Sequence, residues 1–213
     1  MTDFKHRLYL VTDEKACLKR DFFWVVEQAL KGGVDLVQIR EKQLSTADFT
    51  EKASRLKDIC ERYSVPLLVN DNVEVARNID AFGLHIGQKD MPISDAEHLL
   101  GRNKPIGLSV ELMEHLSDFA IRQAWYLGVS PIFSTPTKTD TYAEWGLDGL
   151  KAVRTKTSKP LVAIGNIKLH NVGLAIAHGA DAAAVVSEIC SAKDPAKAAE
   201  LLRNQIEKHL QRK

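Results

Sequence analysis

Hydrophobic positions along the chain fall into two alternating patterns. Short apolar runs such as Leu8–Thr12 have the length and composition of buried strands. Longer stretches such as Asp21–Lys31 place apolar residues three or four positions apart, which is typical of one helix face. Eight such pairs follow one another without a break in composition. This alternation predicts a parallel sheet with helical crossovers.

The element boundaries follow from these runs. The predicted strands are Leu8–Thr12, Leu36–Lys42, Leu67–Asn70, Gly83–Gly87, Pro105–Val110, Trp125–Ile132, Leu161–Ile164 and Ala182–Val186. The predicted helices are Asp21–Lys31, Thr46–Tyr63, Val73–Ile79, Pro92–Gly101, Met113–Ala124, Leu147–Lys156, Asn171–His178 and Pro195–Leu210. Ser45 or Thr46 is a plausible N-cap of the second helix and Asp194 of the last, and the polar segment Phe133–Gly146 predicts no element.

Eight strand–helix units in 213 residues favour an α/β fold, a (β/α)8 TIM barrel forming a single domain over residues 1–213. An open doubly wound sheet is the alternative. It usually has fewer strands, and no glycine-rich fingerprint follows the first strand here.

Composition excludes some function classes. There are 29 Lys and Arg against 28 Asp and Glu, a net charge of +1, which argues against a nucleic-acid or membrane partner. Cys17, Cys60 and Cys190 show neither zinc nor disulfide spacing, as expected in a reducing cytosol. Neither a signal peptide nor a membrane-spanning run is predicted. We therefore expect a cytoplasmic protein that binds small molecules.

Two acidic residues follow consecutive predicted strands. Asp71 comes after the strand ending at Asn70, and Asp90 comes shortly after Gly87. Parallel neighbouring strands would bring both carboxylates to one rim, where a hard divalent ion such as Mg²⁺ with substrate phosphates would balance them. The alternative is that Asp71 is a turn residue or helix cap and that Asp90 caps the helix after Pro92.

The second strand carries polar residues on one face. Gln38, Arg40 and Lys42 alternate with Val37 and Ile39, so packing of the apolar face against helices would turn the polar face inward. Unpaired buried cations are costly, so an anionic ligand is expected beside Arg40 and Lys42. Otherwise Glu41 or a neighbouring acid would pair with them on the surface.

The later loops suit phosphate. Ser134–Asp140 is rich in hydroxyls and contains Lys138, whereas Gly165-Asn166 and Val186-Ser187 follow the seventh and eighth strands, where barrels commonly bind phosphate. Each could instead be an ordinary loop or turn. His85 lies inside the fourth strand, a position more typical of an interior residue than of a catalyst, and Glu111 and His115 are further rim candidates.

Several motifs together resemble the thiamine-phosphate synthase family, also called thiamine-phosphate pyrophosphorylase. They are Leu8–Asp13, Val37–Lys42, Val69–Asp71, His85–Asp90, Gly107–Ser109, Pro131–Lys138 and Ala163–Gly165, in order along nearly the whole chain. The resemblance implies a transferase that joins 4-amino-2-methyl-5-hydroxymethylpyrimidine diphosphate to 4-methyl-5-(2-hydroxyethyl)thiazole phosphate. The products are thiamine phosphate and pyrophosphate.

The resemblance also implies roles for residues. Asp71 and Asp90 would hold Mg²⁺, and Ser109 would lie near the pyrimidine. The pyrimidine diphosphate would contact Gln38, Arg40, Lys42, Asn70 and Lys138. The thiazole phosphate would contact Thr135 and Thr137, and the backbone of Gly165, Val186 and Ser187. Arg40, Lys42, Ser109 and Lys138 are the expected catalytic residues.

This sequence departs from the family pattern in places. Asn166 stands where a second glycine is frequent, Val110-Glu111 replaces a small residue and a histidine, and Gln123–Trp125 replaces Gly-Ala-Asp. Two other functions stay open, a thiazole tautomerase-like isomerase and a non-catalytic thiamine- or phosphate-binding regulator on the same barrel. The sequence is compatible with a homo-oligomer.

Overall fold

Eight parallel strands close into one barrel in chain order, and β1 pairs with both β2 and β8. This computed structural model describes residues 4–101, 103–117, 119–134 and 144–211. The strands β1–β8 are Leu8–Val11, Leu36–Ile39, Leu67–Asn70, Gly83–Ile86, Ile106–Val110, Tyr126–Val129, Leu161–Ala163 and Ala182–Val185. The predicted (β/α)8 barrel is confirmed.

Helices surround the barrel in the described part of the chain. The helices α1–α9 are Phe22–Lys31, Thr46–Arg62, Val73–Asn78, Ile93–Leu100, Ala120–Gln123, Gly146–Lys156, Val172–Ala177, Ser187–Cys190 and Pro195–Leu210. Two short 3-10 helices cover Lys15–Cys17 and Met113–Ser117. Asp21, Ser45 and Asp194 cap α1, α2 and α9, each accepting a hydrogen bond from a backbone N–H three residues on. None of these helices has the length and apolar character needed to cross a bilayer.

The structure departs most from the predicted elements in four places. The predicted helix Met113–Ala124 is a 3-10 helix followed by the short α5, and α8 was not predicted. The apolar run Trp125–Ile132 extends beyond β6, which spans Tyr126–Val129, because Trp125 and Ile132 on either side of the strand are also buried. Strand β2 ends at Ile39, before the cations that sequence alternation placed within it.

The strands separate two apolar layers. Leu8 and Leu10 belong to the layer between barrel and helices, whereas Tyr9 and Val11 point to the barrel interior. Phe4 and Trp125 pack within the interior layer with ring centroids 4.9 Å apart. Side chains therefore fill the barrel, as is usual for this fold.

An ion pair ties the last helix to the start of the barrel. The Asp35 carboxylate accepts hydrogen bonds from the backbone N–H groups of Arg7 and Leu8 and lies 2.6 Å from Arg203 Nη1 of α9. The contact joins the chain's last helix to the segments that begin β1 and β2. The N-terminal ends of the strands are thus committed to structure, and the opposite ends remain for a site.

Candidate active site

A cavity of about 320 Å³ lies at the C-terminal ends of the strands. It brings together the described residues to which the family resemblance gives a role: Gln38, Arg40, Lys42, Asn70, Asp71, Asp90, Ser109, Gly165, Val186 and Ser187. Of the two further rim candidates, Glu111 also lines the cavity and His115 does not. The roles of these residues remain predictions. The predicted residues Thr135, Thr137 and Lys138 lie outside the described residues.

The two acids form a contacting pair on one rim. Burial raises the pKa of Asp90, and hydrogen bonding to the Asp71 carboxyl and its charge raise it further, against the opposing effect of the Gly87 backbone N–H. That N–H donates to Asp90 Oδ2 over 2.8 Å. Lys42 Nζ lies 2.5 Å from Asp71 Oδ2 and partly balances the pair. The rim is therefore crowded with negative charge and able to accept a cation.

Neither acid is a helix cap. Asn72 caps α3 through its Oδ1, which accepts from the Val75 N–H over 2.9 Å, and Asp71 sits before it at a positive φ of 59°. No side chain caps α4, whose N-cap position is Pro92. The cap interpretation is wrong for both residues, whereas the alternative that Asp71 is a turn residue agrees with its bend between β3 and α3. Asp90 binds the backbone of its own turn.

The donor set fits Mg²⁺. Two carboxylates in contact offer hard oxygen ligands, and Mg²⁺ usually takes one or two carboxylates and completes its shell with water and substrate phosphates. Within the described residues no group of three or more His, Cys, Asp or Glu side chains could hold a metal, so this part of the chain would offer Asp71 and Asp90 as a pair. A site of this kind would leave coordination positions for a phosphorylated ligand.

The cations of this rim are less buried than the sequence suggested. Because β2 ends at Ile39, Arg40 is half-buried and the Lys42 side chain is 53% exposed. The alternative of surface pairing is wrong for Glu41, which binds Lys52 of α2, but a neighbouring acid, Asp71, does pair with Lys42. Arg40 and Lys42 thus face the cavity mouth, where both ligand and solvent can reach them.

A chain of hydrogen bonds crosses the cavity floor. Gln38 Nε2 lies 2.5 Å from the Tyr9 hydroxyl, which lies 2.9 Å from the Tyr126 hydroxyl. The Tyr126 hydroxyl is 2.7 Å from His85 Nδ1, and His85 Nε2 is 3.0 Å from Ser109 Oγ. His85 is therefore a hydrogen-bonded residue that also lines the cavity.

The rim over β7 and β8 carries backbone and hydroxyl groups. Gly165 adopts a φ of +107°, and a Cβ there would lie 2.7 Å from Pro131 Cα, so both conformation and packing require glycine. Lys168 points to this rim, with its Nζ 2.9 Å from Ser187 Oγ and 3.2 Å from Glu188 Oε2. Asn166, which lies between Gly165 and Lys168, has a left-handed backbone conformation with a φ of +49°.

Sequence reasoning missed several cavity residues. Tyr9 and Tyr126 were identified only as strand residues, although the period-two pattern of β1 already turns Tyr9 away from Leu8 and Leu10. Lys168 follows a turn whose left-handed geometry no local pattern predicts. Gln88, whose Nε2 donates to the Ser109 carbonyl over 2.5 Å, was quoted within a motif but given no role.

The barrel and its cavity define a (β/α)8-barrel enzyme that acts on small molecules. Residues 8–189 match the family model described as thiamine monophosphate synthase. The thiamine-phosphate synthase of Albidiferax ferrireducens is 49% identical over 201 residues, 94% of this chain and 92% of the relative. That of Vibrio campbellii is 48% identical over 200 residues, 92% of this chain and 96% of the relative.

A solved structure agrees. The thiamine phosphate pyrophosphorylase from Pyrococcus furiosus superposes with a TM-score of 0.87 at 34% identity, covering 97% of this chain and 98% of that one. The chain belongs to the thiamine-phosphate synthase family, as the motifs indicated.

The acid pair predicts an unusual stability effect. Because the folded-state pKa of Asp90 lies above its ordinary value, ionised Asp90 costs the fold free energy at a pH above that pKa. The cost shrinks as pH falls through the folded-state pKa and is gone below the ordinary pKa of the unfolded chain. Asp90→Asn removes the charge, and its side-chain oxygen can still accept from Gly87. We expect the metal-free variant to melt at a higher temperature near neutral pH, by about one to three degrees. Calorimetry in chelator measures this, and a lower melting temperature would contradict it.

Proposed function

We propose that this chain condenses 4-amino-2-methyl-5-hydroxymethylpyrimidine diphosphate with 4-methyl-5-(2-hydroxyethyl)thiazole phosphate, giving thiamine phosphate and pyrophosphate. One observation carries the proposal. A single cavity has a rim of cations and paired carboxylates over β2–β4 and a rim of glycine, hydroxyl and lysine groups over β7–β8. Two phosphorylated substrates would thus have separate anchoring points on opposite sides of one barrel mouth.

The first rim suits the pyrimidine diphosphate. Arg40 and Lys42 would bind its oxygens, with Lys138 added by the family resemblance. Mg²⁺ held by Asp71 and Asp90 would supply further positive charge to the departing diphosphate. Partial exposure suits these side chains, because a hydrated cation can reach the ligand without first being buried unpaired.

The bond changes balance without a protein nucleophile. The bond between the pyrimidine methylene carbon and the diphosphate oxygen breaks, and its electron pair leaves with pyrophosphate. The amino-substituted ring delocalises the resulting cation until the thiazole nitrogen donates its lone pair to that carbon. The positive charge then resides on the thiazolium product. Positioning and charge stabilisation are the work left to the protein.

The floor and the second rim would hold the two rings in line. Ser109, Asn70 and Gln38 are buried polar residues at the level where the pyrimidine would lie. The backbone at Gly165, Val186 and Ser187 would bind the thiazole phosphate, with Thr135 and Thr137 as further predicted contacts. We add Lys168 to this set because its ammonium group is 2.9 Å from Ser187 Oγ. A cytoplasmic location and a homo-oligomer stay predictions.

The direct test is a two-substrate assay. Purified protein should form thiamine phosphate from both substrates with Mg²⁺ and lose that activity in excess chelator. Asp71→Asn and Asp90→Asn should each lower kcat/KM by about a hundredfold or more, the scale expected when stabilisation of a developing charge is lost. Product formation is followed by chromatography.

Asp95→Asn is the matched control, because Asp95 is an exposed residue of α4 that does not line the cavity. Its activity should equal that of the wild type. Full turnover in chelator would remove the metal from the proposal. Thiazole isomerisation without condensation would favour the isomerase, and binding without turnover would favour the regulator.

Lys168 gives a prediction specific to the thiazole phosphate. Lys168→Met should weaken thiazole phosphate binding by about tenfold to a hundredfold, the loss expected for one hydrogen bond to a charged group. Affinity for the unphosphorylated thiazole alcohol should stay the same, because no phosphate is present to contact. Calorimetric titration of both compounds measures the difference.

Two further variants separate binding from structure. Glu188→Gln removes the ion pair with Lys168 but keeps the lysine, so a purely structural pair would make it resemble Lys168→Met. We expect instead that Glu188→Gln binds thiazole phosphate at least as tightly as the wild type. Lys193→Met, at an exposed position, is the control for loss of one surface charge. Equal weakening of both thiazole compounds by Lys168→Met would refute the contact.

A further inference from the structure

The hydrogen-bonded chain on the cavity floor is held rigidly. Tyr9 and Tyr126 are completely buried, with ring centroids 5.9 Å apart at 85°. The Tyr126 ring occupies space left by Gly107, where a Cβ would lie 2.2 Å from Tyr126 Cζ. His85 stacks on Tyr126 with an interplanar angle of 17°. Burial and the close contact with Gly107 restrict the movement of these rings.

Both phenols stay protonated. Burial raises the pKa of Tyr9 and of Tyr126 well above the ordinary value for tyrosine. At neutral pH each hydroxyl therefore has one hydrogen to donate and lone pairs to accept with. In a series of such hydroxyl groups, the hydrogen bonds can all be donated in one direction or all in the other. A group at one end that can only donate favours one of these two directions.

That donor is the Gln38 amide nitrogen, which can only donate. The Tyr9 hydroxyl accepts from Gln38 and keeps its own hydrogen to give, and the Tyr126 hydroxyl lies 2.9 Å away to accept it. The Tyr126 hydroxyl can in turn donate to His85 Nδ1 in the tautomer whose Nδ1 is unprotonated. That tautomer carries its hydrogen on Nε2, which lies 3.0 Å from Ser109 Oγ and can donate to it. The Ser109 hydrogen is thereby left for the cavity.

We propose that Tyr9 and Tyr126 are positioning residues that transmit the donor direction of the Gln38 amide to Ser109, so that the Ser109 hydroxyl meets its ligand as a hydrogen-bond donor. The matching ligand group is an acceptor with a lone pair. Under the function proposed above, on which this choice of ligand rests, the ring nitrogens of the aminopyrimidine are such acceptors. Neither tyrosine touches the reacting atoms in this account.

The tautomer of His85 tests the direction of these hydrogen bonds without any assay of activity. Nitrogen-15 NMR of the full-length wild type, with His85 assigned through its contacts to Tyr126, should show a neutral ring protonated on Nε2. Tyr126→Phe removes the donor to Nδ1, so a population protonated on Nδ1 should appear. A wild-type ring protonated on Nδ1 would show the reverse direction and overturn the proposal.

Kinetics then test the consequence for the substrate. Tyr126→Phe should lower kcat/KM for the pyrimidine diphosphate by about tenfold, the scale of one misdirected hydrogen bond, and leave KM for the thiazole phosphate unchanged. Tyr9→Phe should have a smaller effect, because Tyr126 can still donate to His85. An equal increase in KM for both substrates would indicate that Tyr126 has a structural role only.

Tyr63→Phe is the matched control. Its hydroxyl donates to Glu27 Oε1 over 3.1 Å on the outside of the barrel, so the same chemical change occurs far from the cavity. It should leave both kinetic parameters and the His85 spectrum unchanged. If Tyr126→Phe does not fold, the wild-type tautomer and Tyr9→Phe still decide. If the protein proves to lack synthase activity, the tautomer of His85 still tests the direction of the hydrogen bonds between Gln38 and Ser109.

Discussion

Pairing of β1 with β8 closes the sheet, and the arrangement of the site depends on that closure. A closed parallel barrel directs all eight strand ends to one mouth, so residues far apart in sequence share a cavity. The opposite end is filled by Phe4 and Trp125 and tied by the Asp35–Arg203 pair. With that end committed to packing, the mouth can carry poorly balanced charge and strained turns that a stable core would not tolerate.

The two rims of the mouth differ in their charge balance. Over β3 and β4, Asp71 and Asp90 repel each other, and the single charge of Lys42, which pairs with Asp71 and also acts on Asp90, balances them only in part. This imbalance has an electrostatic cost for the fold, which a cation and a phosphate bound there under the proposed function would offset. Over β7 and β8, Lys168 is already paired with Glu188, so that rim is nearer to neutral before any ligand arrives.

The fold was largely predictable because buried apolar runs and helical periodicity repeat eight times. The acid pair was predictable for the same reason, since strand ends locate Asp71 and Asp90 on one rim. Local patterns could not show where β2 stops, because alternation continues past the last ladder bond at Ile39. Nor could they show the contact between Tyr9 and Tyr126, which joins residues 117 positions apart and exists only in the closed barrel.

The central claim is that the first rim is built to hold a diphosphate together with a metal. Titration of pyrophosphate into the protein by calorimetry, with and without Mg²⁺, addresses it most directly. The account predicts tight binding that requires Mg²⁺ and that Asp71→Asn abolishes. Binding that is equal in chelator, or unaffected by loss of Asp71, would contradict it.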